Sequence, residues 1–175
     1  MNILVSFSIL ILSLVAIGGT QAQNIDKTTV KKVDLEKYMG KWYEIARYDH
    51  SFERDLVGVT ATYSLLPNNR IRVVNEGYKH TLNGSLKSAV GKAKVPDMNE
   101  PGKLKVSFFL WFYSDYYILE LAEDYSYALI GSSSDNYLWI LSRTPVLPEV
   151  TLKQILDKAQ KRGYDTEKLI FVKQQ

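Results

Sequence analysis

Between residues 41 and 142 the sequence breaks into eight short stretches of apolar and polar alternation, each closed by turn-forming residues. The predicted strands are Lys41 to Tyr48, Leu56 to Leu66, Arg70 to Lys79, Ser85 to Val95, Lys103 to Leu110, Tyr116 to Leu121, Ser126 to Gly131 and Asn136 to Ser142. The connections Pro67-Asn68-Asn69, Asn83-Gly84, Pro96 to Gly102 and Gly131 to Asp135 carry turn chemistry, and their shortness implies antiparallel neighbours. A meander of this kind hides its edges by closing into a barrel, and eight strands enclose room for one small ligand. A sandwich of two sheets is the competing geometry, because alternation does not separate the two.

After the strands, Leu152, Ile155, Leu156 and Ala159 recur at helical spacing. Thr151 and Gln154 resemble a capping box, and Gly163 suits a helix C-terminus. The apolar stripe predicts a helix packed on the outside of the sheet, and Leu169 to Val172 reads as a final edge strand.

At the other end, Met1 to Ala16 carries no charged side chain and passes into GGTQAQN, with the small residues Thr20 and Ala22 ahead of Gln23. Residues 1–22 therefore read as a secretory leader, leaving one domain over 23–175. The alternative is a retained anchor, although Ser6, Ser8 and Ser13 interrupt a run that is short for a membrane span. In a chain of 175 residues, 46% hydrophobic and 23% charged, one globular domain is expected. The net charge of +3 is spread among interspersed acids and bases, which argues against a nucleic-acid partner. Cysteine is absent, which removes disulfides, thiolate metal sites, a thiol nucleophile and an acylated cysteine anchor.

Little in the chain resembles catalytic machinery. His50 lies between Asp49 and Ser51, but neighbours on an extended chain point in different directions and do not form a relay. His80 is distant and no metal-ligand cluster accompanies it, and there is no phosphate-binding Gly-rich loop and no G-x-S-x-G elbow. No catalytic residue, metal or cofactor is expected. Asn83-Gly84-Ser85 is both a hairpin signal and a glycosylation sequon, and the turn reading is the safer one.

Three segments, VDLEKYMGKWYEIARYDHSFER, YALIGSSSDNYLWILSRTP and RGYDTEKLIFVKQ, resemble the lipocalin family. The likeness is closest to its bacterial lipocalin branch and more distant to apolipoprotein D, and it spans nearly the whole chain after the leader. It implies an eight-stranded antiparallel up-and-down β-barrel with a C-terminal α-helix outside and a short final strand. It also implies that Trp42 plugs the closed end with Arg143 packed over it, a stacking contact worth on the order of 1 kcal/mol. Gly40 is expected to permit the sharp entry into the first strand, where a side chain would meet the preceding turn.

With Trp42 and Arg143 marking the inner faces, period-two counting adds Glu44, Ala46 and Tyr48 from the first strand and Tyr137, Trp139 and Leu141 from the last as ligand-binding candidates. Glu44 either lies near the cavity floor, within reach of Arg143 or a tyrosine, or is turned out by local twist. Tyr63, Val74, Tyr78, Ser107 and Phe109 are candidates from the middle strands, with ordinary barrel core as the alternative for each. Strand parity places the Asp49 to Asp55 loop, Asn83-Gly84, a Trp111 to Asp115 turn and Gly131 to Asp135 around the open mouth. Phe52 and Trp111, with the WFYSDYY stretch, form aromatic patches on that rim, suited either to a membrane interface or ligand or to packing among the loops. Arg47, Arg54, Lys79 and Lys87 are candidate mouth cations. The resemblance implies an exported protein, periplasmic or secreted, that carries or stores a fatty acid, lysophospholipid or similar amphiphile. It would act as a monomer or homodimer, with the rim as its contact to a membrane. The alternatives are a lipid-converting enzyme of the same fold and a partner-binding protein that uses the rim. Lipid-anchored bacterial lipocalins end their leader on a cysteine, and this chain departs from them in having none.

Overall fold

In the computed structural model, which describes residues 24–67 and 70–174, one turn of helix, α1 (Leu35–Tyr38), leads directly into the first strand, β1 (Gly40–Arg47). The expected leader, its cleavage point before Gln23 and the Asn68-Asn69 turn lie outside the described residues. Asp34 starts α1 by accepting the amides of Glu36 and Lys37 at 3.0 and 3.2 Å, and the helix ends at Tyr38 against the mouth of β1. The other strands are β2 (Leu56–Leu66), β3 (Arg70–Lys79), β4 (Leu86–Lys94), β5 (Lys103–Phe109), β6 (Phe112–Leu121), β7 (Tyr127–Gly131) and β8 (Leu138–Ser142). Each pairs antiparallel with the next, and β1 pairs with both β8 and β2, so the sheet closes into the eight-stranded barrel and the sandwich is excluded.

Register fixes which side chains face inward. Trp42 sits opposite Ala61, Tyr63 opposite Val73, Ile118 opposite Ile130 and Ala128 opposite Leu141, and these residues pack into one inner cluster. A β-bulge between Glu44 and Ala46 interrupts the alternation of β1. Glu44 pairs with inward Leu141, but Ala46 pairs with outward Ile140, and Arg47 pairs with inward Trp139. Ile45 and Ala46 therefore both face outward, and the inner face resumes at Arg47.

The outer layer is α2 (Glu149–Lys161), which buries Ile155 and Ala159 completely against Ala46, Leu129 and Ile140, with Leu152 and Leu156 partly covered at its sides. Its start differs from the expected capping box. The helix begins at Glu149 after Pro148, with no side-chain cap, so Thr151 and Gln154 lie inside it. Its end follows expectation: Gly163, at φ +92°, directs the amide of Tyr164 to Ala159 and its own amide to Gln160, at 3.1 and 2.9 Å. The strand β9 (Ile170–Phe171) then lies beside the second half of β1, where β1 and β2 have diverged. The Gly58 amide donates to Lys173, and Gln174 Nε2 donates to the Glu44 and Val59 carbonyls at 2.6 and 3.1 Å, which seals that seam.

Strand β6 also begins earlier than its composition implies. Ser114 and Asp115 read as turn residues, yet they are paired strand positions, with Asp115 held by Lys105 at 2.6 Å. The turn is only Leu110-Trp111, closed by the Phe109–Phe112 pair, with Leu110 at φ +50°. Gly40 has a different role from the one expected. A Cβ there would meet nothing closer than Arg143 Nη1 at 3.4 Å, an ordinary contact, but its φ of +95° is unfavourable for an L side chain. Gly40→Ala is expected to cost about 1 kcal/mol through backbone strain alone, lowering the unfolding midpoint by about 2–4 °C in thermal denaturation.

Candidate functional site

The closed end of the barrel is built on Trp42. The indole is completely buried, its Nε1 donates to the Tyr38 carbonyl at 2.9 Å, and the Arg143 guanidinium lies 3.8 Å above the ring centre. Arg143 also donates to the carbonyls of Lys37, Lys41 and Tyr38 at 2.7, 2.9 and 3.1 Å. It thereby ties the last turn of α1 and the start of β1 to the end of β8. Above the indole, the Tyr38 and Tyr116 hydroxyls meet at 2.6 Å, and Tyr63 donates to Tyr116 at 3.1 Å. Burial pushes the Tyr63 phenol up to about 12. The floor is thus aromatic, with its phenol groups paired among themselves.

The wall formed by β1, β8 and the loop after β1 is polar. Arg47 Nη1 donates to Glu44 at 2.7 Å, Arg47 Nη2 donates to the Glu53 carbonyl at 2.7 Å, and Trp139 Nε1 donates to the Glu53 carboxylate at 3.1 Å. All three charged residues are buried: Glu44 is 4%, Arg47 3% and Glu53 6% exposed. Burial, reinforced by the nearby Glu53 charge, pushes Glu44 up to about 8 against the opposing pull of Arg47. Burial raises Glu53 as well, opposed by its bond from Trp139 and by Arg47. Arg47 thus pairs with one carboxylate, that of Glu44, and reaches Glu53 through its backbone carbonyl. His50 stacks against Phe52 and Tyr137 at 5.1 and 4.8 Å, and desolvation lowers it to about 4, so the ring is neutral at physiological pH.

The opposite wall has small side chains. Regular pairing along β3 and β4 turns Asn75, Gly77, Ala89, Gly91 and Ala93 inward. Ala61, Gly91 and Trp139 are only half-buried and Ala89 is exposed, although all four face inward, so the interior on this side is open to solvent. The space between the polar wall and these small residues is the candidate ligand site.

Several sequence candidates fall elsewhere. Ala46 and Tyr48 lie outside, under α2, because the bulge reverses their parity; the Tyr48 hydroxyl donates to the Asp165 carbonyl at 3.0 Å. Val74 and Tyr78 alternate with inward Val73 and Gly77 and so face outward. Ser107 pairs with outward Lys92, and its hydroxyl lies against the carbonyls of its own hairpin. Phe109 and Trp111 stand at the hairpin tip, 67% and 72% exposed, rather than in the interior. Phe52 is exposed on the rim, where with Tyr48, Asp49, Tyr137 and Lys168 it borders an open outer depression of about 850 Å³. Glu44, Tyr63, Trp139 and Leu141 do face the interior, with Tyr137 stacked on Trp139 at the rim, and the ion partner of Glu44 is Arg47, not Arg143. Arg54 is engaged with Asp49 at 2.9 Å, and Arg47 is a wall residue, so neither offers a free charge at the mouth. The inward roles of Arg47 and Glu53 have no signature in the sequence, since they follow from the bulge and from a loop folding inward, whereas Asn75 faces inward by ordinary alternation once the β2–β3 register is set. Among the described residues, no group of three or more His, Cys, Asp or Glu is arranged to hold a metal ion.

A family model described as a lipocalin-like domain matches residues 33–174. The chain is 43% identical to the outer membrane lipoprotein Blc of Vibrio cholerae, covering 95% of this chain and 97% of that protein. It is 42% identical to the protein of the same name from Escherichia coli K12, over 84% and 82% of the two chains. Apolipoprotein D of Mus musculus is 37% identical, over 78% and 74%. Among solved structures, insecticyanin from the tobacco hornworm Manduca sexta superposes with a TM-score of 0.68 at 23% identity, covering 86% of this chain and 85% of that one. At that identity the likeness concerns the fold.

The polar wall makes stability depend on pH. In the unfolded chain Glu44 loses its proton near the ordinary value of 4.5, whereas in the barrel it keeps it up to about 8. Folding thus holds a proton that the unfolded chain releases, so stability falls as pH rises through that interval and levels off above it. Thermal melts between pH 5 and 9 are expected to show a declining midpoint in the wild type and a flatter profile in Glu44→Gln.

Proposed function

The chain belongs to the lipocalin family, and we propose that it is an exported carrier that holds one single-chain lipid, a fatty acid or lysophospholipid, in the barrel. The observation that carries this reading is the solvent-accessible inner wall of Ala61, Ala89 and Gly91 above a buried aromatic floor. An acyl chain laid along such a wall gains about 0.8 kcal/mol per buried methylene, so length rather than a polar motif drives affinity. Binding without turnover fits the residues better than catalysis. The interior hydroxyls are bonded to one another, His50 is stacked between rings, and the chain contains no thiol.

Membrane contact enters the same reading through the β5–β6 hairpin. Phe109, Leu110, Trp111 and Phe112 are all more than half exposed, and Leu110 occupies a positive-φ turn position where glycine or asparagine would be less strained. An apolar tip maintained at the expense of backbone strain has the character of an interfacial anchor. Lys92 and Lys94, over the Tyr113 ring on the adjacent outer face, supply attraction to anionic headgroups. The V. cholerae and E. coli relatives are named outer membrane lipoproteins. In a chain without cysteine, the hairpin takes the place of a thioether-linked lipid as the means of membrane contact.

Native mass spectrometry of protein purified from its own host, followed by extraction, is expected to find one acyl lipid per barrel. An empty barrel that also takes up neither fatty acid nor lysophospholipid in titration would refute carriage. In a separate measurement, flotation with vesicles containing anionic phospholipid is expected to capture the wild type and to lose at least several-fold of it on combined Trp111→Ser and Phe112→Ser substitution, with circular dichroism unchanged.

A further inference from the structure

Building on the carrier reading, we infer that lipid passes between a membrane and the barrel sideways, through a lateral opening between β4 and the β5–β6 hairpin. The pairing of β4 is the first observation. On one side it pairs with β3 at every position from Leu86 to Lys94. On the other it pairs with β5 only at Lys92, Ala93 and Lys94, opposite Ser107, Val106 and Lys105. The half of β4 nearer the mouth, residues 86–90, therefore keeps a free edge, where backbone groups pointing away from β3 have no strand partner. The cause lies in the facing strand. The register of β5 with β6 shifts between Val106 and Phe109, and such an irregularity bends a strand away from its neighbour. The seam between β1 and β2 also parts toward the mouth, but there β9 and Gln174 fill the gap. No strand of the described residues fills the gap between β4 and β5.

Exposure supplies the second observation. Residues 86–90 are all exposed, the inward Lys87 and Ala89 as well as the outward Leu86, Ser88 and Val90. Ala93 also faces inward, but it lies where the β4–β5 ladder is intact, and it is buried. Leu86 and Val90 form one apolar lip of the opening, and Phe108 and Phe109 form the other. The opening ends at Gly91, where a Cβ would come within 2.7 Å of the Phe108 ring, so the ring rests against bare glycine backbone at that point. The lips are continuous with Leu110, Trp111 and Phe112 at the hairpin tip, and Lys87, Lys92 and Lys94 flank them with positive charge. An acyl chain that enters here stays against apolar surface from the bilayer to the inner wall, while its polar headgroup remains in water outside the seam.

The chain contains no cysteine, so Val90→Cys with Phe109→Cys places two unique thiols on the facing lips. One sample is bridged with bismaleimidoethane and a second is capped at each thiol with N-ethylmaleimide, so both carry the same substitutions and only the first is tied shut. Stopped-flow fluorescence then follows transfer of cis-parinarate, and of parinaroyl lysophosphatidylcholine, from vesicles of phosphatidylcholine and phosphatidylglycerol. The bridged form is expected to take up both probes from vesicles about tenfold more slowly than the capped form, because closing a route slows access without changing the end states. Equilibrium affinities are expected to agree within about threefold, and uptake of monomeric probe from solution within about twofold, since the mouth stays open. Ser88→Cys with Phe109→Cys serves if the first pair fails to fold, as judged by near-ultraviolet circular dichroism. Equal rates from vesicles, or an equally large slowing from solution, overturns lateral passage while leaving carriage intact. Failure of both forms to bind either probe at equilibrium overturns carriage and the lateral route with it.

Discussion

One extra residue in β1 determines the division of labour across the barrel wall. Without the bulge between Glu44 and Ala46, strict alternation would turn Ala46 and Tyr48 inward and Arg47 out to solvent. With it, Ala46 becomes a flat, fully buried seat for α2, and Tyr48 reaches the chain beyond that helix. Arg47 enters the interior, where it needs a counter-charge, and Glu44 on the same strand and Glu53 on the following loop surround it. The helix packing and the polar wall are thus two results of one backbone irregularity, which a straight strand would not provide together.

The two ends of the barrel differ in how tightly their groups are satisfied. At the closed end, every polar group near Trp42 has a near neighbour: indole to carbonyl, phenol to phenol, guanidinium to three carbonyls. Little is left in this region for a ligand to add. Toward the mouth, the Glu44 and Glu53 carboxyl groups lie buried near Arg47, small residues leave space, and the hairpin tip exposes large apolar groups. Those features are unfavourable in an isolated protein and make sense where a ligand or a membrane covers them.

The sequence revealed the parts of this architecture that depend on local periodicity and on residues with one dominant use. The eight strands, the helical stripe of Ile155 and Ala159 and the Gly163 cap emerged that way, whereas the stacking of Arg143 on Trp42 was implied by the family resemblance. The candidate site was less legible, for physical reasons that can be named. A bulge has no composition, so parity counting from Trp42 holds only to Glu44 and then fails for Ala46 and Tyr48. Val74 and Val73 are chemically identical neighbours, and only the register with Tyr63 shows which of them faces inward. Ser114 and Asp115 have turn character by type but are held in a ladder by partners on β5 and beyond.

Strand β1 has three partners drawn from widely separated parts of the chain: β2 follows it at once, β8 comes about ninety residues later, and β9 later still. The side chain of Gln174 completes the seam by reaching the Glu44 carbonyl across 130 residues of sequence. Closing so long a loop is entropically costly before its contacts form, and topologies dominated by such pairings fold slowly. A ribosome would therefore have released nearly the whole domain before its first strand could be fully enclosed, so the aromatic stretches and unpaired strand edges remain uncovered throughout synthesis. The contacts of β9 and Gln174 with β1 are accordingly among the last that synthesis makes possible.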